Sequence, residues 1–408
     1  MAKILVAGGS LGGLFVANLL HRSGHLVIVL EKSVGSMDGR GAGIVTHESL
    51  RVALRECGAI VDETLGVAVS KRVTLGIDGS CLGEITIPQI LTSWSRLYQI
   101  LKLCFPKSLY LQGKVIHKLQ QNTDEVLVEC EDGSQYKGDL LIASDGIRSL
   151  VRNLLAQHIQ PKYAGYIAWR GVCDEKLLSQ YTRETLFNYF GFCLPSGEQM
   201  LGYPVAGTGN NTQIGHRRFN FVWYRPTKNQ DELTKLLTDD VGNVHLNGIP
   251  PALVSKKYID SMRAESKIIL APQFAEVIEK TVQPFFQPIY DVYSEQIHFQ
   301  RVALMGDASF VARPHVGMGV TKAAEDAQSI NRHIQILGAN PNALRAYELE
   351  RLSMGQKIIR HAQFLGRYME SQGSAGGGDQ PEPLRNPNTV MVETALGLDK
   401  AHEESINI

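Results

Sequence analysis

Residues 3–31 constrain the fold of this chain more than any other stretch. They open with a short apolar run, KILVA, and pass directly into Gly8-Gly9-Ser10-Leu11-Gly12-Gly13. Leu14, Ala17, Leu19 and Leu20 then recur at the spacing of one helix face until Ser23-Gly24 stops it. A second strand, 25–30, ends in Glu31. A strand, glycine turn, helix and strand of this length predict a parallel sheet whose first turn holds a dinucleotide. In that arrangement Gly8 allows the tight turn and Gly13 lets helix and strand close on each other. The helix N-terminus faces a pyrophosphate, and Glu31 accepts from ribose hydroxyls. The middle position, ordinarily Gly, is Ser10, so the match reads G-x-S-x-x-G.

Two later stretches have the same build. Residues 139–152, DLLIASDGIRSLVR, are an apolar strand ending at Ser144-Asp145-Gly146, with Arg148, Ser149 and Arg152 opening the next helix. Read alone, Asp145 is a helix cap; beside the first stretch it becomes a candidate partner for a bound hydroxyl or amide. Residues 301–326, RVALMGDASFVARPHVGMGVTKAAED, run from strand to Gly306-Asp307, through a loop marked by Pro314, Gly317 and Gly319, into a helix from about Val320. An Asp at a strand end can accept from sugar-like hydroxyls, and the following helix start can stabilise negative charge on a planar ring. Residues 38–45, DGRGAGIV, add a glycine-rich segment carrying Arg40, a candidate phosphate contact.

Composition narrows the function classes. Lys plus Arg equals Asp plus Glu, 41 each, so no global field favours nucleic acid or an anionic membrane. The six cysteines form no C-x-x-C pair and have no His at zinc-like spacing, so they read as free thiols and no metal site is expected. The chain enters a strand almost at once and has no apolar run long enough to span a bilayer; a cytoplasmic location is the expectation.

Between the motifs, residues 72–88 shorten into strand-like pieces, and 93–103 return to helix periodicity with Arg96 in the first turn. Residues 163–224 are rich in aromatic and β-branched residues with turns between, which predicts an antiparallel sheet with one face on a pocket. The fold class expected is α/β. A discontinuous Rossmann-like domain takes residues 1–72, 93–162 and 286–341, and a sheet domain takes 73–92 and 163–285. A long C-terminal helix (342–370) and a linker and tail (371–408) complete the chain. The tail carries an apolar stripe at 390–397 that reads as a short docking helix and leaves room for a protein contact, including a homodimer.

The three motifs, in this order and at these separations, resemble the flavoprotein aromatic hydroxylases, single-component monooxygenases with FAD, over roughly residues 1–370. GGSLGGL at 8–14, GAGIV at 41–45, YAGYIAWRG at 163–171, FNFVWYRP at 219–226 and GDASFVARPHVG at 306–317 look like the 2,6-dihydroxypyridine 3-monooxygenase branch. Ser10 and Phe310 are features of that branch. The resemblance implies that Gly8, Ser10, Gly13, Glu31 and Arg40 contact the ADP half of FAD, with Leu11, Gly12 and Lys32 counted among the cofactor-binding residues. Arg96 and Asp145 would lie near the ribityl and pyrophosphate section, and Asp307 would hold ribityl oxygens. Pro314, Val316, Gly317, Met318 and Gly319 would lie along the flavin ring. Met318 and Thr321 stand where the wider family commonly has Gln and Asn, which puts side-chain contacts there in doubt but not backbone ones.

The implied chemistry is NAD(P)H-driven reduction of FAD, addition of O2 to give a C4a-hydroperoxyflavin, and transfer of one oxygen to a small hydroxylated aromatic or N-heteroaromatic ring. No second dinucleotide motif exists, so the nicotinamide cofactor would bind transiently. His47, after the GAGIV strand, is the candidate base. Tyr203 and His216 are candidate pocket residues, with Tyr224 beside them. Cys193 reads as core first and as a ring neighbour second, and His315 as either close to the flavin or a residue that orders its loop. Other readings keep the fold but change the chemistry, to a decarboxylating hydroxylase or an oxygenase on a larger natural product. A last reading is a non-hydroxylating flavin-binding redox or partner module.

Overall fold

The structure is a computed structural model that describes residues 1–35, 43–227, 229–373 and 386–396. Arg40, and most of the linker and tail, lie outside the described residues.

Strand Lys3–Ala7 is buried over nearly its whole length. Both faces of the sheet it enters are covered, which is why it reads as an unbroken apolar run rather than an alternating one. It pairs in parallel with Leu26–Glu31 on one side and Leu140–Ala143 on the other. The sheet has six strands in the order His298–Phe299, Val302–Leu304, Leu140–Ala143, Lys3–Ala7, Leu26–Glu31, Tyr110–Gln112. Only the edge pair, His298–Phe299 with Val302–Leu304, is antiparallel. Helices Leu11–Arg22 and Gly319–Leu337 pack against each other over this sheet. The consequence is positional: Gly8, Ser144-Asp145 and Gly306-Asp307 all follow the carboxyl ends of adjacent parallel strands, the edge where open α/β sheets bind ligands.

The second sheet has eight strands in the order Phe285–Asp291, Lys162–Asp174, Arg218–Pro226, Gln199–Val205, Phe190–Cys193, Val67–Leu75, Cys81–Ser93, Gly43–Thr46. It departs from the antiparallel expectation at one place, where Phe190–Cys193 runs parallel to Val67–Leu75. That pair joins segments far apart in sequence, so no hairpin signal could announce it. Strands Gly43–Thr46, Val67–Leu75 and Phe285–Asp291 all belong to this sheet, so the chain crosses into it at Gly43, ahead of residue 73, and residue 72 lies inside a continuous strand.

Alternation gives the sheet two unlike faces. Trp169, Phe219, Phe221 and Trp223 pack with Phe274, Val277 and Ile278 into a core under helices Lys256–Ile269 and Pro272–Lys280. Cys193 belongs to that core, its thiol pushed up to about 11 by burial. Their neighbours in the pleat face the other way, towards the first domain. Helix Pro341–Gly373 runs along the junction, and helix Pro387–Glu393 docks on the outer strands, burying Val390, Met391 and Val392.

Arg72 supplies most of the side-chain hydrogen bonds of that docking, joined by Gln89, which donates to the Ala395 carbonyl at 3.3 Å. Arg72, wholly buried, donates to the carbonyls of Met391 and Thr394 at 2.5 Å each and to that of Ala395 at 3.3 Å. Ala395 N–H in turn donates to the His315 carbonyl at 2.9 Å. Among the described residues no helix is long and apolar enough to cross a membrane, and no group of His, Cys, Asp and Glu could hold a metal ion.

Candidate functional site

A cavity of about 870 Å³ lies between the two sheets. One wall comes from the strand ends of the parallel sheet: Asp145, Gly146, Asp307, Pro314 and Gly317–Val320. The other comes from the free face of the second sheet: Arg170, Phe190, Leu201, Tyr203, Val222, Tyr224, Gln287 and Ile289. Lys32 stands at one end, and Thr394 and Ala395 close part of another side.

The glycine turn is built for close approach. Gly8 has φ +92°, and a Cβ there would meet the Ser144 carbonyl at 2.5 Å; a Cβ on Gly13 would meet the Gly8 carbonyl at 1.9 Å. The Glu31 carboxylate accepts from the backbone N–H of Gly9 and of Ser33, each at 2.7 Å, and so fixes the turn against the second strand. Ser10 precedes helix Leu11–Arg22 without a side-chain cap bond, and Leu11 and Gly12 form its first turn, with Gly12 against Ser144. These glycines do not bound the main cavity; Gly8 and Gly12 lie against Ser144-Asp145, whose Asp145 does.

Two carboxyls face the cavity. Asp145 Oδ2 accepts from Val151 N–H at 3.2 Å, while its buried Oδ1 has no partner among the described residues. Asp307 is open only because the space before it is the cavity itself. Burial raises both above the ordinary carboxylate value, partly offset at Asp307 by Lys322 and Arg152. Supporting them is a buried cluster: Lys322 Nζ meets Asp326 Oδ2 at 2.8 Å and the Gly306 carbonyl at 3.0 Å, and Arg351 Nε meets Asp326 Oδ1 at 2.8 Å. Arg152 ties the two strand-end loops together through the carbonyls of Ile147 and Ala308.

Not every expected residue reaches the cavity. Tyr203 does, its ring tilted against Phe190 at 4.9 Å and touching Gly43. Pro314, Gly317, Met318 and Gly319 do, while Val316 is buried beneath them against Ile358 and Ala362. Arg96 instead turns its guanidinium to Thr64 Oγ1 at 2.8 Å. His216 is a correction: it is exposed, in the turn before strand Arg218–Pro226, beside Asp174 and Lys176 in a separate recess. That strand lines the cavity only at Val222 and Tyr224, so His216, six places before Val222, lies beyond the strand's other end.

His47 is one step behind the wall. It follows strand Gly43–Thr46, caps helix Glu48–Glu56, and sets Nδ1 2.8 Å from Thr321 Oγ1 in the first turn of helix Gly319–Leu337. His315 is buried and bonds Tyr166 Oη through Nε2 at 2.9 Å, with its ring 4.0 Å from that of Tyr224. That bond joins the loop to strand Lys162–Asp174.

Sequence reading missed Arg170, Lys322, Asp326 and the tail residues Thr394 and Ala395. The i, i+4 spacing of Lys322 and Asp326 was a usable signal. Arg170 follows from alternation: in a strand whose Trp169 faces the core, position 170 faces the cavity. The reach of the tail had no local signal.

A family model described as "FAD binding domain-like" matches residues 163–291. The 2,6-dihydroxypyridine 3-monooxygenase of Paenarthrobacter nicotinovorans is 28% identical over 99% of this chain and 98% of its own length. The 6-hydroxynicotinate 3-monooxygenase of Pseudomonas fluorescens is 23% identical over 88% and 89%. Among solved structures, 2,6-dihydroxypyridine-3-hydroxylase from Arthrobacter nicotinovorans superposes with a TM-score of 0.85 at 25% identity, covering 95% of this chain and 98% of that one. Klebsiella pneumoniae HpxO complexed with FAD and uric acid does so with a TM-score of 0.71 at 22% identity, covering 93% and 89%, a likeness of fold.

Proposed function

We infer that this chain is an FAD-dependent monooxygenase that uses NAD(P)H and O2 to hydroxylate a small hydroxylated aromatic or N-heteroaromatic ring. The observation that carries the reading is the pairing of unlike walls. A polar wall of backbone and two carboxyls suits FAD, and it faces an aromatic wall that suits a planar ring.

The residues fit the cofactor. Gly8 and Gly13 let the first turn close tightly against its own helix and the Ser144 carbonyl, the unpartnered Asp145 Oδ1 awaits a donor, and Asp307 presents an accessible carboxylate inside the molecule. The turn 8–13 with Glu31, Lys32 and Arg40 would hold the ADP half. Asp145 and Asp307 would hold the ribityl section, and the backbone of Pro314–Gly319 would lie along the ring, where the start of helix Gly319–Leu337 favours negative charge. When bound, FAD supplies the passage of electrons from the nicotinamide and the activation of O2.

The chain's own residues do the rest. Tyr203 and Tyr224 are neutral, with burial pushing Tyr224 up to about 12 and Tyr203 further, so both hydroxyls can donate to a ring oxygen. Phe190, Leu201, Val222 and Ile289 pack around the ring and exclude water that would waste the activated oxygen. His47, bonded to Thr321, acts as a positioning residue that holds strand Gly43–Thr46 against the start of helix Gly319–Leu337.

The test is oxidation of NADH and NADPH by the purified yellow protein, with and without 2,6-dihydroxypyridine, 6-hydroxynicotinate and simple phenols, with products followed by mass. Stimulation with a product heavier by one oxygen is expected. Tight FAD with no stimulation by any ring would overturn the reading.

A further inference from the structure

Four cations bound the cavity, and three are accounted for. Lys32 and Arg148 lie exposed at its rim, and Arg313 is held by Asp291, with Nη2 to Oδ2 at 2.7 Å and Nε to Oδ1 at 3.0 Å. The fourth, Arg170, stands on the aromatic wall. Its strand register aims it: Arg170 lies opposite Val222 on one side and Phe285 on the other, and both line the same cavity.

Among the described residues no carboxylate lies within ion-pair distance of this guanidinium, and its Nε is buried without a hydrogen-bond partner. Tyr203 and Tyr224, which line the cavity beside it and feel its charge, keep their protons and cannot serve as counter-ions. Asp307, on the facing wall, is coupled to Lys322 and Arg152 rather than to Arg170. A half-buried guanidinium without a counter-charge is unfavourable, and a ligand that brings one relieves it. Its planar fork of donors matches a carboxylate or a ring oxyanion better than any neutral group.

We propose that Arg170 selects the substrate by its charge: it binds a ring that carries a negatively charged oxygen, with Tyr203 and Tyr224 donating beside it, and the enzyme passes over neutral rings of the same shape. The proposal rests on the hydroxylase reading and names the class of ring. The charged oxygen is either a carboxylate or an ionised ring hydroxyl, and two ligand pairs separate the sources. 6-Hydroxynicotinate and its amide differ only at the carboxylate; 2,6-dihydroxypyridine and 2,6-dimethoxypyridine differ only at the hydroxyls.

Binding of all four is measured on the FAD-loaded protein by the change in flavin absorbance and by calorimetry, for the parent, Arg170→Gln and Arg170→Lys, with FAD content and Tm recorded. The parent should bind the charged member of at least one pair about tenfold tighter or more. Arg170→Gln should lose that preference with FAD content unchanged, and Arg170→Lys should keep part of it. Equal binding within both pairs by the parent, no binding of either charged ligand, or an undiminished preference in Arg170→Gln would overturn the proposal. So would loss of FAD from Arg170→Gln, because the guanidinium would then serve the cofactor. Hydroxylated product is assayed in parallel: charge-selective binding through Arg170 without any product supports the anchor and counts against the hydroxylase reading.

Discussion

The two walls of the cavity are made by different means. On the parallel-sheet side the contacts come from backbone and a few short acidic side chains, at places where the chain turns sharply after a strand. Behind that wall Lys322, Asp326 and Arg351 pair off their buried charges. On the other side the contacts come from alternate side chains along five strands, and the half-buried Arg170 there has no carboxylate partner among the described residues. The first wall is fixed by tight turns such as that at Gly8 and Gly13, which admit no side chain, and is suited to one large ligand. The second can change its taste by exchanging a side chain, since each points into open space.

If the walls are separable in this way, damage to one should leave the other working. The largest effect is expected from Gly13→Ala, whose new methyl would overlap the Gly8 carbonyl. Purified protein should hold FAD at below about a tenth of the parent's occupancy and lose about 1–3 kcal/mol of stability. Full flavin content in that variant would break the comparison.

A smaller effect is expected where the walls meet. His47→Ala removes the link to Thr321 and should lower coupled hydroxylation by roughly three- to tenfold, about the worth of one hydrogen bond, with FAD still bound. Unaltered coupled turnover would remove His47 from the site.

The smallest effect sharpens the cofactor side. Burial raises the Asp307 carboxyl, so the fold binds its proton more tightly than the unfolded chain does; stability from this group is therefore lost as pH climbs through the raised value. The FAD-free Asp307→Asn protein should melt about 1–3 °C above its parent at pH 8. That gap should close as pH falls toward about 4. A gap that does not vary with pH would mean that the carboxyl is not raised.

The same contrast explains what could be read in the sequence. Turns that need glycine announce themselves, so Gly8, Gly13, Asp145 and Asp307 were legible, together with the parallel sheet they terminate. The second sheet was legible as alternation, which identified a face but not its far limit; His216 was placed on the wall although the strand meets the cavity only at Val222 and Tyr224. Pairings between distant segments leave no local mark. The parallel pairing of Phe190–Cys193 with Val67–Leu75, the early crossing at Gly43, and the grip of Arg72 on a segment more than three hundred positions away were all invisible for that reason.

That last contact also sets an order of assembly. A chain made from its N-terminus can form both sheets and the turn 8–13 while synthesis is under way. Thr394 and Ala395 cannot take their places until the strands that carry Arg72 and Gln89 and the loop that carries His315 are already formed. The cavity therefore stays open on one side until residues 394 and 395 have been made. A bulky cofactor has that interval in which to enter, and the seat closes behind it.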